Sequence, residues 1–356
     1  MMRGADRWLW PCLTAPSWPL ESVSRVFLAV TDHFEPFHHA ERDEALRRME
    51  LWQRAFPASI SDFADATGRK PRHTFFYPIE QYDEEVIARL ADLCGESGSE
   101  VEVHLHHHDD TAVTLRDKLD RGVEALMSHG LLSRAADGSG RFCFIHGDWA
   151  LANCHPLGRH CGVPEEIRIL REAGCVADFT FPSAPSPTQP RRVNSIYYTA
   201  DTGNPQTLAS GVPLRLGQGP ACRDAPYHLL LVHGVTAMNW HRRKWGLLPR
   251  LENSDLTMAN PPTPERWRLW LRHAPRVAGR PDWAFIKLHT HGAPPPNCHM
   301  LLGQPMRAFR EYLATLALPV HFVTAREMVN VLHALEDGAQ DFDERLLVHR
   351  YPAPPL

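Results

Sequence analysis

Long apolar runs are what this 356-residue chain most plainly lacks. None approaches the roughly 18 residues a helix needs to cross a bilayer, so no membrane span is expected. Neither charge dominates: 38 Lys and Arg stand against 42 Asp and Glu, a formal net charge of −4. An overall pull toward nucleic acid or an anionic surface is therefore missing. Cysteine is sparse, with eight residues at irregular spacing and no C-x-x-C pair, which excludes a disulfide scaffold and the common zinc-finger frameworks. Most of these cysteines read as small buried hydrophobes or free thiols. Cys154, His155, His160 and Cys161 do form a local cluster. A chain long enough to bury a full core needs no metal staple, so no structural zinc is expected there. G-x-S-x-G, G-x-x-x-x-G-K-[ST] and G-x-G-x-x-G are all absent, which removes the signatures of serine hydrolases, P-loop enzymes and dinucleotide-binding domains. Gly and Pro, 22 and 31 residues, stay below the roughly 25–30% of low-complexity chains.

What the chain does have is histidine, 22 residues in all, many of them clustered. It also has short apolar runs alternating with helical patterns. Val26–Val30, His73–Tyr77, Val101–Leu105, Phe142–Ile145, Val176–Phe181, Tyr227–Val232, Trp283–Leu288 and Val320–Val323 read as buried strands. Helical spacing falls between them, over 41–56, 83–94, 114–129, 164–174, 264–271, 304–316 and 325–335. Such alternation calls for a parallel sheet with crossover helices. One α/β domain is expected over 25–340, with a loop excursion at 182–226. An N-terminal arm (1–24) and a C-terminal tail (341–356) flank it. Arg3, Arg7 and Trp8-Leu-Trp10 faintly suggest a secretion signal, but Pro11, Pro16 and Pro19 interrupt its apolar region. A cytoplasmic protein is expected.

The strands end in chemistry. Asp32 and His33 follow the first, His104 to His108 the third, His146 the fourth, and His289 the late strand Trp283–Leu288. In a β/α barrel such ends converge on one mouth. His104 and His108 are four residues apart. If the chain turns helically as it leaves its strand, both imidazoles face one ion, with Asp32 as the carboxylate partner. His146-Gly-Asp148-Trp149 places a proton carrier, a hinge, an acceptor and an aromatic plate together, suited to a sugar ring. His289, with His291 two residues on, is placed to protonate a leaving group.

At these residues the chain resembles the NodB-homology polysaccharide deacetylases, carbohydrate esterases of the glycoside hydrolase/deacetylase β/α-barrel superfamily. The resemblance runs from about residue 26 to 335. Val26–Asp32 is similar to that family's first strand, His73-Thr-Phe-Phe76 to its second, and His104-Leu-His-His-His108 to its metal motif. Ile286-Lys-Leu-His289 and His321-Phe-Val-Thr324 are similar to its late and closing strands. The resemblance implies a single-domain α/β fold, a distorted barrel of about seven or eight strands. It implies a divalent metal, zinc by preference, held by Asp32, His104 and His108, and hydrolysis of acetyl groups on a carbohydrate polymer. The first motif departs from the family in reading Thr-Asp32-His33-Phe-Glu35. Asp32 is thus either the general base or a ligand, and in the second case His33 or Glu35 is the base. His289 is the expected acid, and His146, Asp148, Trp149 and His291 the expected substrate contacts. A glycoside hydrolase, with two carboxylates from Glu35, Asp148 and Asp178, is the rival on the same barrel. A glycan-binding relative without catalysis is the other. The expected partner is a carbohydrate, with no nucleic acid.

Overall fold

A computed structural model describes residues 4–356. Its centre is a sheet of twelve strands. The parallel strands are Arg25–His33, Thr74–Pro78, Glu100–Leu105, Gly140–His146, Cys175–Asp178, His228–Val232 and Trp283–Thr290, and Val320–Phe322 adds to the first. The hydrogen-bonded path runs from Asp255–Leu256 through Trp283–Thr290 and Arg25–His33 to Thr74–Pro78. It continues through the strands in chain order to His228–Val232, and ends on Ile196–Ala200 and Val212–Pro213. It is an open path, so the observed architecture is a mixed α/β fold on a large, mostly parallel sheet.

Each expected strand and helix is present with ends shifted by a few residues. The loop excursion expected at 182–226 differs. Ile196–Ala200 inside it is a strand, pairing antiparallel with His228–Val232. Its short run, Ile-Tyr-Tyr-Thr-Ala, sits among prolines and glycines that conceal it. A two-stranded hairpin, Ala237–Lys244 with Leu248–Glu252, stands apart from the main sheet.

The sheet is buried on both faces, as continuous apolar strands require. One core takes Val26, Leu28, Phe75, Tyr77, Val101, Val103, Phe144 and Leu288, packed on helices such as Arg42–Ile60 and Glu84–Ser97. The other takes Phe27, Ala29, Phe76, Cys143, Ile145 and Phe285, packed on the helix Ala325–Glu336. All twelve residues of that helix are buried; its apolar residues pack on the sheet, while Arg326, Glu327 and Glu336 are buried in ion pairs. Its Thr324 capping box and the buried Arg326–Glu100 pair, 2.6 Å apart, fasten it to the strand Glu100–Leu105. The strand parity set by these two cores decides where every site residue points.

The arm and the tail are docked. Residues Ala5–Thr14 form a helix whose Trp8 and Cys12 pack with Ala184 against Met238 and Leu251. The carbonyls of Leu347 and Tyr351 accept hydrogen bonds from Asn330, at 2.9 Å each. Among the described residues, no helix is long and apolar enough to cross a membrane.

Candidate functional site

Parallel register brings neighbouring strand ends together. Thr31 lies beside His289, and His33 beside Phe76, while His104 lies between Pro78 and Ile145. Phe27 and Ala29 face the core around Ala325–Glu336, so His33 projects on that same side. His104 shares it, because Val101, Val103 and Leu105 take the opposite face. Phe34, buried edge-on against Trp52 and Phe75, fixes the next step of the alternation and turns Glu35 back beside His33. The His33 ring stands 4.8 Å from that of His104, 4.7 Å from that of His291 and 6.3 Å from that of His289.

Glu35 is the hub. Its Oε1 lies 2.9 Å from His106 Nε2 and 3.4 Å from His104 Nε2, and its Oε2 lies 3.1 Å from His291 Nδ1. One ligand atom from each of Glu35, His104 and His106 falls within 4.8 Å of the others, so the three can hold a metal ion. Tautomers support that role. His104 Nδ1 is 3.0 Å from the Ile145 carbonyl, which can only accept, so Nδ1 carries the proton and Nε2 offers a lone pair. His106 Nδ1 is 2.7 Å from Glu80 Oε1, the carboxylate–histidine arrangement that orients a metal ligand. Two imidazole lone pairs and a carboxylate then converge on a space that needs one positive charge, a cation or a proton.

The protonation tendencies agree. Burial alone would raise the Glu35 carboxyl, but His104, His106 and His291 hold it below the usual carboxylate range. Burial works against a charge on His106, yet Glu35 and Glu80 raise its pKa to about 10. Burial pushes His33 well below 6.5, aided by His291 and His104, so it is neutral; its Nδ1 has no hydrogen-bond partner.

The expected trio of Asp32, His104 and His108 is replaced. No group of potential ligands among the described residues joins them. Asp32 belongs to the opposite face from His33 and His104. It is fully buried, 2.9 Å from His73 Nε2, and its Oδ1 accepts the Gly292 N–H at 2.5 Å. His108 is exposed. The reason is backbone period. The chain stays non-helical after Leu105, and the next helix begins only at Ala112, so His106 joins His104 at a spacing of two. His106 stood in the quoted cluster, and an alternating strand carried two residues farther would have found it.

His289, the expected acid, has its pKa moved in the direction opposite to that role. Burial lowers it well below 6.5, and Lys287, His291 and Arg266 add to the effect, with no carboxylate opposing them. His289 is therefore a neutral imidazole, without a proton to donate near neutral pH.

His146 lies on the other face from His104, buried beside His107, their rings 4.6 Å apart. With Cys161 and Glu166 they form a second fully buried group able to hold a metal. Glu166 Oε1 is 3.0 Å from His107 Nε2, and Cys161 donates to Glu166 Oε2 at 3.3 Å. The donor set fits less well here. His146 Nδ1 faces the N–H groups of Asp148 and Ala150, at 3.2 and 3.4 Å, which leaves its proton on Nε2. Cys154 is not in the group; its thiol faces the carbonyls of Trp149 and Thr188. Asp148 and Trp149 are partly exposed, and Asp148 lies 3.8 Å from His160. Gly147 permits a close approach: a Cβ there would overlap the His106 ring.

Comparison with known proteins adds no name to this geometry: no family model matches the chain, and no curated protein matches it in sequence. The class defined by fold and site is an α/β protein with a histidine-rich, metal-competent centre at the strand ends.

Proposed function

We propose that the protein is a metal-dependent hydrolase of the polysaccharide-deacetylase type, removing acetyl groups from a carbohydrate on a distorted β/α barrel. The observation that carries this reading is the convergence of Glu35, His104 and His106, with both Nδ1 atoms engaged as donors. A divalent cation held by these three, zinc by ligand type, would polarise the acetyl carbonyl and lower the pKa of a bound water toward about 7. The remaining roles fall to the chain's own groups. Neutral His33, with its free Nδ1, accepts the proton of the attacking water. His291, half in solvent and tied to Glu35, is better placed than His289 to return a proton to the departing amine or alkoxide. Asp148 and Trp149, partly exposed beyond the strand Gly140–His146, hold the sugar. The glycoside hydrolase rival needs two free carboxylates across a bond. Glu35 is held by three histidines, and Asp178 is buried, accepting from Thr180.

Purified protein loaded with Zn²⁺ and given N- and O-acetylated oligosaccharides should release acetate. His104→Ala should abolish release, and His33→Ala should lower it by about 10²–10⁴-fold with metal retained. New reducing ends without acetate would transfer the reading to glycoside hydrolysis.

A further inference from the structure

The hairpin Ala237–Lys244/Leu248–Glu252 carries a surface that the metal centre does not use. Its tip, Lys244-Trp-Gly-Leu-Leu, leaves Trp245 and Leu247 each 77% exposed, and Trp240 and Leu248 are 57% and 50% exposed. Monomeric proteins seldom spend two tryptophans and two leucines on one protruding loop unless that loop meets an apolar phase. The same stretch is cationic. Residues 238–251 contain Arg242, Arg243, Lys244, Arg250 and His241, with no Asp or Glu. The Lys244 ammonium sits 4.5 Å from the Trp245 ring.

Beneath the tip, Arg242, Lys244 and Arg250 line a cleft of about 580 Å³ with Trp8 and Met238. Two acids also line it, and both are answered by other groups. Glu252 is paired with Arg266 at 2.6 Å, and Asp255 accepts from Asn260 at 2.6 Å. The N-terminal helix braces the hairpin through Trp8 and Cys12, and exposes Trp10 and Leu13.

We infer that this hairpin docks the protein on an anionic lipid bilayer, Trp245 and Leu247 entering the interface while Arg243, Lys244 and Arg250 meet lipid phosphates. Tryptophan favours the headgroup level, and basic residues near it gain from the negative surface potential. Insertion of a few apolar side chains alone is weak; the two signals together make a stable attachment. A second copy of the chain is disfavoured as the occupant, because it would bring the same positive charge to the contact. A soluble polyanion would use the cations but leave the tip in water. Nothing in this inference depends on the reaction at Glu35.

The test is sedimentation of the full chain with vesicles of phosphatidylcholine alone, or of phosphatidylcholine mixed with phosphatidylglycerol, with tryptophan fluorescence recorded. Binding to the mixed vesicles with a blue shift is expected. Trp245→Ser with Leu247→Ser should abolish the shift and most of the binding. Both side chains lie in solvent, so the fold should be unaffected, which circular dichroism checks. Arg243→Gln with Lys244→Gln should lower partitioning by roughly 30-fold. No sedimentation with the mixed vesicles would overturn the inference. So would binding that both double variants leave unchanged, or capture by dextran sulfate that ignores the tip variants.

Discussion

A one-residue step in strand parity separates Asp32 from the histidines it was expected to join. Asp32 Oδ2 and His73 Nε2 are 2.9 Å apart in a fully buried setting, with the Gly292 N–H on the other oxygen. Asp32 thus ties the first strand to the start of the second and to the turn after Thr290. Asp32→Asn should lower stability by about 1.5–3 kcal/mol, the worth of hydrogen bonds to a charged group. Its metal content, by elemental analysis, should match that of the unaltered protein. Loss of metal in this variant would return Asp32 to the ligand set. His106 gives a second residue-scale expectation. In metal-free protein its folded pKa is about 10, against about 6.5 unfolded. The stability it contributes is fully present below about pH 6.5 and is lost as pH rises through about 10. Urea melts across that range should show the decline, and His106→Gln should flatten it. Zn²⁺ takes the place of the same proton, so its affinity should rise with pH over the same window.

Elements set these residues in place through close approach. The turn His146-Gly147-Asp148 runs directly under the His106 ring, and Gly147 N donates to the Leu105 carbonyl at 2.8 Å. Any side chain at 147 would overlap that ring, and one at 292 would overlap the Asp32 carboxylate. Gly147→Ala should therefore weaken metal binding by displacing His106, and lower stability by about 1–3 kcal/mol, the usual penalty of overpacking. Calorimetric titration with Zn²⁺ and a thermal melt measure the two effects. The helix Ala325–Glu336 contributes at the same scale. Met328, Val329, Val331 and Leu332 pack in the core on the sheet face that carries His33 and His104. A rigid frame keeps ligands within the tolerance that metal geometry demands.

At the scale of the whole molecule, two cores on the two sheet faces account for the fold, and the residues able to hold a metal ion lie where several strands end. A ligand that binds only the folded state stabilises it by mass action, by about 2.7 kcal/mol at a free concentration 100 times its Kd. Zn²⁺ should raise the melting temperature, EDTA should reverse the rise, and His104→Ala should remove it. A rise that survives His104→Ala would report the second group around Glu166.

Local pattern was enough for the parallel strands and for many of the helices. The apolar run Val26–Val30, the alternation through Val101–Leu105 and the apolar run Trp283–Leu288 each specify a buried strand, because burying apolar side chains needs only neighbours of the right period. Helices such as Glu84–Ser97 follow from their spacing and from Asp83 as N-cap. The histidines at the strand ends were legible in the same way, since parallel strands point their C-termini one way. What the sequence left open was membership of the site. His104 pairs with His106 because the backbone stays extended for two more residues, and with Glu35 because Phe34 is buried on the far side. Neither fact is local: each depends on which face of the sheet meets which core. The strand Ile196–Ala200 depends on a partner in His228–Val232, and the hairpin's cationic tip is lost in a net charge averaged over the chain. Tertiary structure decided these, because side-chain direction, lone-pair convergence and exposure are properties of packed neighbours, whereas period and turn chemistry are written residue by residue.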